Sequence, residues 1–301
     1  MSQSFVFLTS AAITCGLQWT ACVVAFAMQT EVFYDILGGV NAMVLAGWSA
    51  WCNFDAWRHD SHKLASTAIY VASRSWLLLF LAWRAHDRKG DARFDDCRDK
   101  FGRFQFSRFL LFWTVQGMWV FNIAMPTMFV NSSSAKTQFS MVDWLMIVGF
   151  GSGLVIEIIS DVQKALWVSN GRTGSFCRSG LWSFSRHPNY FGEILQWWCS
   201  WGFAYSSGSG YTDLLWWACI CSPVFTMHVL LNVPPTGVTN AEGKNLKRYY
   251  DQVPEEYTKY RESTSVLIPM VGYKYIPMFL KRTVFLDFQK YEYRPSSSKM
   301  D

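Results

Sequence analysis

Charge is what this sequence has little of. Only 16 % of its 301 residues are Asp, Glu, Lys or Arg, where a soluble domain carries about 25 %. No Asp, Glu, Lys, Arg or His precedes Glu31, and further charge-free runs cover 36–54, 109–135, 194–212 and 214–241. Runs of this length exclude a disordered chain and a water-borne surface. Five His are too few for a His-rich membrane metal site, and the eight Cys show neither Cys-x-x-Cys nor zinc spacing. A disulfide-stapled secreted module is excluded with them, and no metal is expected. Residues 1–30 hold no Lys or Arg, so they lack the basic start of a signal peptide, and the first span is expected to stay as an anchor. The net charge of +5 falls in the loops and makes no case for nucleic acid.

What the chain has instead is apolar: 51 % hydrophobic residues, 18 % aromatic, 16 Trp. A bilayer-crossing helix needs about 20 apolar residues, and lipid offers an open backbone no hydrogen-bond partner. Strand alternation is absent. The runs therefore predict an all-α, polytopic transmembrane helical bundle of about seven spans, at 5–28, 36–56, 64–83, 109–130, 141–160, 189–206 and 213–233. Loop 84–108 carries Arg84, Arg88, Lys89, Arg93, Arg98, Lys100, Arg103 and Arg108, and loop 161–188 adds Lys164, Arg172, Arg178 and Arg186. The alternate loops hold only Arg58, Lys63 and Lys136. The excess of Lys and Arg marks the cytosolic side, which puts the N-terminus outside and gives a cytosolic C-terminal tail. Asn131-Ser132-Ser133 reads as a glycosylation acceptor on the outer side. The alternation Tyr273, Lys274, Tyr275, then Lys281, Arg282 suits a stretch lying along headgroups.

Polar groups in an apolar medium carry the functional signal, because an intramembrane charge costs about 2.5–3.5 kcal/mol. Arg74 lies midway along its span and is expected to face a carboxylate or an anion. Glu157 and Asp161 share a helix face, with Lys164 one turn on. Segment 179–193 packs two glycines, Arg186, His187, Pro188, Asn189, Tyr190 and Glu193 against the start of a span. Pro188 suits a first helical turn, whose free amides favour anions. Asn189 and Glu193 then lie one turn apart, and a ligand with hydroxyl or amide groups fits between this face and that of Glu157 and Asp161. Further on, a charge-mixed run containing Tyr260 and Arg261 is followed by Leu267-Ile268-Pro269, which returns the chain to an apolar surface. Two motifs mislead. Gly149-x-Gly151-x-Gly153 lies in an apolar span with no strand before it, so close helix packing is expected rather than a dinucleotide turn. Asp55, His59 and His62 lie on the outer side and are not read as a metal site.

The run from Ser185 to Glu193, preceded by Gly180-Leu181-Trp182, resembles the C-terminal signature of the steroid 5α-reductase superfamily, and within it the branch labelled by domain of unknown function 1295 (DUF1295). Phe33-Tyr34-Asp35 with Gly38-Gly39, and Gly90-Asp91-Ala92-Arg93-Phe94, resemble that branch as well. The resemblance implies a membrane reductase that binds NADPH at the cytosolic side and delivers hydride to a carbon–carbon double bond of a sterol, steroid or related lipid. By motif, Asn189 and Glu193 match an Asn-x-x-Gly-Glu cofactor element, Asp161 a cofactor-binding Asp, and Tyr260 a Tyr spaced before Leu-Ile-Pro. Glu157, Lys164, His187 and Tyr190 join them as cofactor-binding candidates, with Arg178 and Arg186 as phosphate partners. The steroid enzymes also carry an early Glu and Tyr that address the substrate ketone. Glu31 and Tyr34 are the catalytic candidates here, although they do not align with that pair.

The resemblance further implies a division into N-terminal transmembrane helices (1–135) on the substrate side, a steroid 5α-reductase-like catalytic region (136–280) and a cytosolic tail (281–301). It implies the endoplasmic reticulum as the compartment, or the inner membrane for a bacterial chain. Two alternatives stay open. Isoprenylcysteine carboxyl methyltransferases share a His-Pro-x-Tyr helix start and a Glu-Glu-rich tail, here Glu255-Glu256, and would use S-adenosylmethionine. A non-catalytic lipid binder is the other. Oligomeric state is not readable from the sequence.

Overall fold

The computed structural model describes residues 1–87, 91–134, 138–172, 176–233 and 236–291. Arg88, Lys89, Gly90 and Lys136 of the sequence reading lie outside the described residues. The chain forms helices α1 (Gln3–Met28), α2 (Tyr34–Trp51), α3 (Phe54–Trp57), α4 (Ser61–Asp87), α5 (Phe106–Ser132), α6 (Met141–Ser169), α7 (Pro188–Ala204), α8 (Leu214–Ala218), α9 (Cys221–Asn232), α10 (Val238–Gln252), α11 (Pro254–Ser263) and α12 (Met278–Thr283). Among the described residues there is no strand, only the isolated bridges Arg98–Phe104 and Ser185–Ser265. The protein is an all-helical polytopic membrane protein.

Among the described residues, five stretches are long and apolar enough to cross a bilayer: Gln3–Met28, Ser61–Arg84, Phe106–Ser132, Met141–Ser169 and Leu214–Asn232. They coincide with five of the seven predicted spans. The other two correspond to α2 and α7, which have 18 and 17 residues and carry Asn41 and Ser49, and Asn189 and Glu193, respectively. The last span is interrupted between α8 and α9. Pro223 in the first turn of α9 has no N–H to give the carbonyl of Cys219, so the helix ends and restarts there.

The chain divides into two compact units, Met1–Gly151 with Trp197–Thr226, and Ser152–Gln196 with Met227–Asp301. In the first, amides tie the helices. Gln18 Nε2 donates to Asn41 Oδ1 at 3.2 Å, and Asn41 Nδ2 to Thr14 Oγ1 at 3.3 Å, joining α1 to α2. Asn131 Nδ2 donates to Ser49 and Thr67, joining α5 to α2 and α4. Asn131 is fully buried by these contacts. The glycosylation reading of Asn131 is therefore corrected: its amide is closed off inside the protein. Tyr34, Phe94, Phe104, Phe109 and Trp113 build an aromatic core in the same unit.

Arg74 is buried, donates to Ser73 Oγ at 2.9 Å and lies 4.6 Å from the centre of the Trp197 ring. With Gly38, Gly39, Gln116 and Trp119 it lines a cleft of about 40 Å³, room for a water or two and not for a lipid ring system. His62 accepts or donates at Ser207 Oγ (2.8 Å) and lies 3.3 Å from Asp143. Of the glycines in the 149–153 run, Gly149 and Gly153 serve packing. A Cβ on Gly149 would meet Cys199 Sγ at 2.7 Å, while the surroundings of Gly151 are open.

Candidate functional site

In the second unit two polar helix faces meet. Glu157, Asp161 and Lys164 recur at i, i+4 and i+7 along the C-terminal half of α6, a spacing that keeps them on one side. Asn189, Glu193 and Gln196 repeat the pattern along the first half of α7. The helices close on each other through two glycines: a Cβ on Gly192 would lie 2.5 Å from the Gly153 carbonyl oxygen, and one on Gly153 would lie 2.6 Å from that of Gly192. That approach lets short polar side chains bridge the seam. Asn189 Nδ2 donates to Asp161 Oδ1 at 3.2 Å, and Gln196 Nε2 to Glu157 Oε2 at 2.6 Å. Glu157, Asp161, Glu193 and Gln196 are all buried. Two acceptors in the seam, Asn189 Oδ1 and Gln196 Oε1, are buried and meet no donor. Leaving such an atom unmet costs about 1–3 kcal/mol, so each is a place where a donor brought by a ligand gains.

The 3-10 turn Gly180–Ser183 is moored to α6. Leu181 N donates to Gln163 Oε1 at 2.9 Å and Trp182 Nε1 to the Ser160 carbonyl at 3.0 Å. Gly180 has φ +57°, which favours glycine, and a Cβ there would also push aside the Gln163 amide that holds Leu181 N. The Tyr260 hydroxyl donates to the Trp182 carbonyl at 2.6 Å, and its ring packs on Phe176 and Tyr257. Burial pushes the Tyr260 phenol above its usual range, which keeps it a donor. Lys164 Nζ lies 4.6 Å from the Trp167 ring centre and 4.5 Å from that of Trp182. Arg172 and Arg248 are near enough to interact with its charge.

Beside the start of α7 lies a buried ionic cluster. Arg186 Nη1 meets Glu242 Oε2 at 2.9 Å and Nη2 meets Asp287 Oδ1 at 2.8 Å, while His187 Nε2 lies 3.0 Å from Glu242 Oε1. Burial would raise the Glu242 carboxyl, but the Arg186 charge and the His187 contact outweigh it and hold it down at about 2. Tyr190 stacks on His187 with ring centres 5.1 Å apart and donates to the Thr236 carbonyl at 2.9 Å. Backbone bonds Arg186 N to Ser265 O and His187 N to Val266 O bring 264–267 alongside, the return of the chain that Leu267-Ile268-Pro269 announces.

Of the residues singled out from sequence, Glu157, Asp161, Asn189 and Glu193 line this seam or its faces. Lys164 and Tyr260 join it through Trp182. Arg186, His187 and Tyr190 belong to the ionic cluster, and Arg178 is exposed, pairing with Glu256 at 3.1 Å. Glu31 and Tyr34, in the first unit, engage different partners. The Glu31 carboxylate takes Arg98 at 2.9 Å, while the Tyr34 hydroxyl donates to the Phe112 carbonyl at 2.9 Å. Gln196, Glu242, Arg248 and Asp287 were not singled out by sequence. For Gln196 the seven-residue spacing from Asn189 was the available signal.

Comparison with known proteins agrees with the motifs. The chain is 27 % identical to "Steroid 5-alpha-reductase DET2" of Solanum lycopersicum over 158 residues, 47 % of this chain and 54 % of that protein. It is 30 % identical to "3-oxo-5-alpha-steroid 4-dehydrogenase 1" of Macaca fascicularis over 137 residues, 43 % of this chain and 44 % of that protein. The chain thus spans about half the length of these curated relatives. No solved structure matches. Residues 21–264 match the family described as "Protein of unknown function (DUF1295)". That match runs through the bundle, the seam and Arg186, His187 and Glu242 of the ionic cluster, and the chain belongs to the DUF1295 family.

Proposed function

We propose that this protein is a membrane-embedded, NADPH-dependent reductase that transfers hydride to a carbon–carbon double bond of a sterol, steroid or related lipid. The observation that carries the reading is the α6–α7 seam, where Asn189 Oδ1 and Gln196 Oε1 are buried acceptors awaiting donors. A dinucleotide is rich in hydroxyl and amide donors, so the residues fit the group. Two of its relatives by sequence bear the names of a steroid 5-alpha-reductase and a 3-oxo-5-alpha-steroid 4-dehydrogenase. In this proposal Glu157, Asp161, Asn189 and Glu193 hold the ribose hydroxyls and the carboxamide, and Tyr260 fixes the 3-10 turn beneath them. Lys164, Arg172 and Arg248 oppose the phosphate charge. Arg186 and His187 act through the ionic cluster, keeping the first turn of α7 in position. Bound NADPH supplies the hydride; the chain's part is to orient it and to keep water from the site. A cytosolic C-terminal side and the endoplasmic reticulum membrane belong to the same proposal.

A second reading, methyl transfer from S-adenosylmethionine, draws on Glu157, Asp161 and Glu193, since three carboxylates suit a sulfonium. One titration separates the two. The purified chain in nanodiscs is titrated with NADPH, NADH and S-adenosylmethionine, and NADPH is expected to bind, with Asn189→Ala and Glu193→Ala each weakening it about tenfold. Binding of the sulfonium cofactor without NADPH overturns the reductase. Sterol binding indifferent to both substitutions, with no nucleotide bound, leaves a lipid binder.

A further inference from the structure

Residues 270–287 have their polarity turned inside out. Tyr273, Lys281 and Asp287 are buried. The Tyr273 hydroxyl donates to Asp287 Oδ2 at 2.9 Å, Asp287 Oδ1 meets Arg186, and Lys281 Nζ donates to the Glu262 carbonyl at 3.0 Å. The polar atoms thus fasten the segment from within. Its outward side carries Val271, Tyr275 and Phe279, exposed by 81 %, 78 % and 71 %, together with the exposed Met278 and Val284. Water does not favour such an arrangement, because large apolar groups face out while a lysine and an aspartate are enclosed.

The segment's attachment says what covers it. Met270 N donates to the Phe184 carbonyl at 3.2 Å, two residues after Trp182, whose indole is bonded to Ser160 on the spanning helix α6. At this level Lys164 lies over Trp167 and Trp182, and a Trp–Lys grouping at the end of a span is the mark of a headgroup boundary. The chain after residue 270 therefore emerges where hydrocarbon gives way to headgroups. Lys274, exposed beside Tyr275 at 4.8 Å from its ring centre, adds attraction to phosphate. Gly272 sits at φ +80°, a turn that separates Val271 from the buried Tyr273.

We propose that 270–287 is a membrane-surface anchor: Val271, Tyr275, Met278 and Phe279 enter the boundary between headgroups and acyl chains, while Tyr273, Lys281 and Asp287 tie that anchor to Arg186 at the start of α7. The occupant of the apolar face is phospholipid, and this holds whatever reaction the seam performs. The depth of insertion is that of an interfacial element, about 5–10 Å.

The test uses the full chain in phosphatidylcholine–phosphatidylserine nanodiscs, with the exposed Cys15 and Cys221 replaced by Ser. An environment-sensitive fluorophore is attached at Phe279→Cys, at Val271→Cys, or at the exposed Glu255→Cys as reference. A phospholipid spin-labelled near the top of its acyl chain is expected to quench positions 279 and 271 about threefold more than 255, while aqueous iodide shows the opposite order. Equal quenching at all three positions overturns the proposal. So does protection of 271 and 279 from both quenchers, which means that protein, such as a second copy of the chain, covers the face. If one cysteine variant fails to fold, the other gives the same readout.

Discussion

Gly153 and Gly192 face each other so closely that a Cβ on Gly192 would lie 2.5 Å from the Gly153 carbonyl oxygen and 2.9 Å from Glu157 N. Both neighbours are backbone, which cannot swing aside. Gly192→Ala is expected to force α6 and α7 apart and to destabilise the protein by about 1–3 kcal/mol. The same shift separates Asp161 from Asn189. Denaturant titration in mixed micelles gives the first effect, and loss of NADPH binding beyond the change in stability gives the second. An unchanged titration midpoint for Gly192→Ala counts against the packing described.

Asn189→Ala separates a structural from a binding role. The substitution removes one 3.2 Å hydrogen bond, but it also removes a buried acceptor that meets no donor. The two nearly offset, so stability is expected to change by less than about 1 kcal/mol. Nucleotide binding is expected to fall about tenfold, roughly one lost hydrogen bond's worth. A large loss of stability with unaltered binding contradicts the assignment.

Glu242 predicts the acid response. Its carboxyl is held at about 2 in the folded protein against an ordinary 4.5. A depressed folded value means that the ionised pair stabilises fully above about pH 4.5, and that this contribution fades as the pH falls toward 2. Near-ultraviolet circular dichroism followed from pH 6 to 2 is expected to show tertiary loss confined to that window. Glu242→Gln is expected to diminish the response and to lower stability at neutral pH by about 3–5 kcal/mol, since Arg186 loses one of its buried partners.

Tyr34→Phe tests the early candidates. The hydroxyl is committed to the Phe112 carbonyl inside the aromatic core. The substitution is expected to reduce stability by about 1 kcal/mol and to leave any measured reduction within about twofold. A hundredfold fall in turnover would place this phenol at the reacting atoms.

Asn131 is expected to carry no glycan. Endoglycosidase treatment of the chain expressed in a eukaryotic host should leave its gel mobility unchanged, and a shift abolished by Asn131→Gln would refute the burial seen here.

The readable and unreadable parts of this protein differ in range. Glu157 with Asp161, and Asn189 with Glu193, announce themselves by local spacing, because a carboxylate at a membrane-facing position is costly enough to demand a reason. Their meeting across α6 and α7 needed only the two glycines. Glu242 lies 56 residues from Arg186, in a charge-mixed run that reads as a solvated face, and Asp287 lies 101 residues away, just past a stretch that reads as lying along headgroups; no local pattern shows that either is buried. Asn131 misled for the same reason. Its triplet is local, whereas its contacts with Ser49 and Thr67 are not. The short helices α2 and α7 fell between classes, since they hold the polar residues that lower their hydropathy.

The bonds that Asn41 makes to Thr14 and Gln18, and Ser49 to Asn131, have a consequence for assembly. Hydrocarbon tails attract every flank of an oily cylinder equally, so greasiness by itself leaves a helix free to roll about its long axis. These bonds sit eight residues apart along α2, a little over two complete revolutions, and bind the two ends of the flank between Asn41 and Ser49 to different neighbours. Rolling α2 by a third of a revolution would strand both ends at once in a solvent that has nothing to offer them, and that is what sets its azimuth.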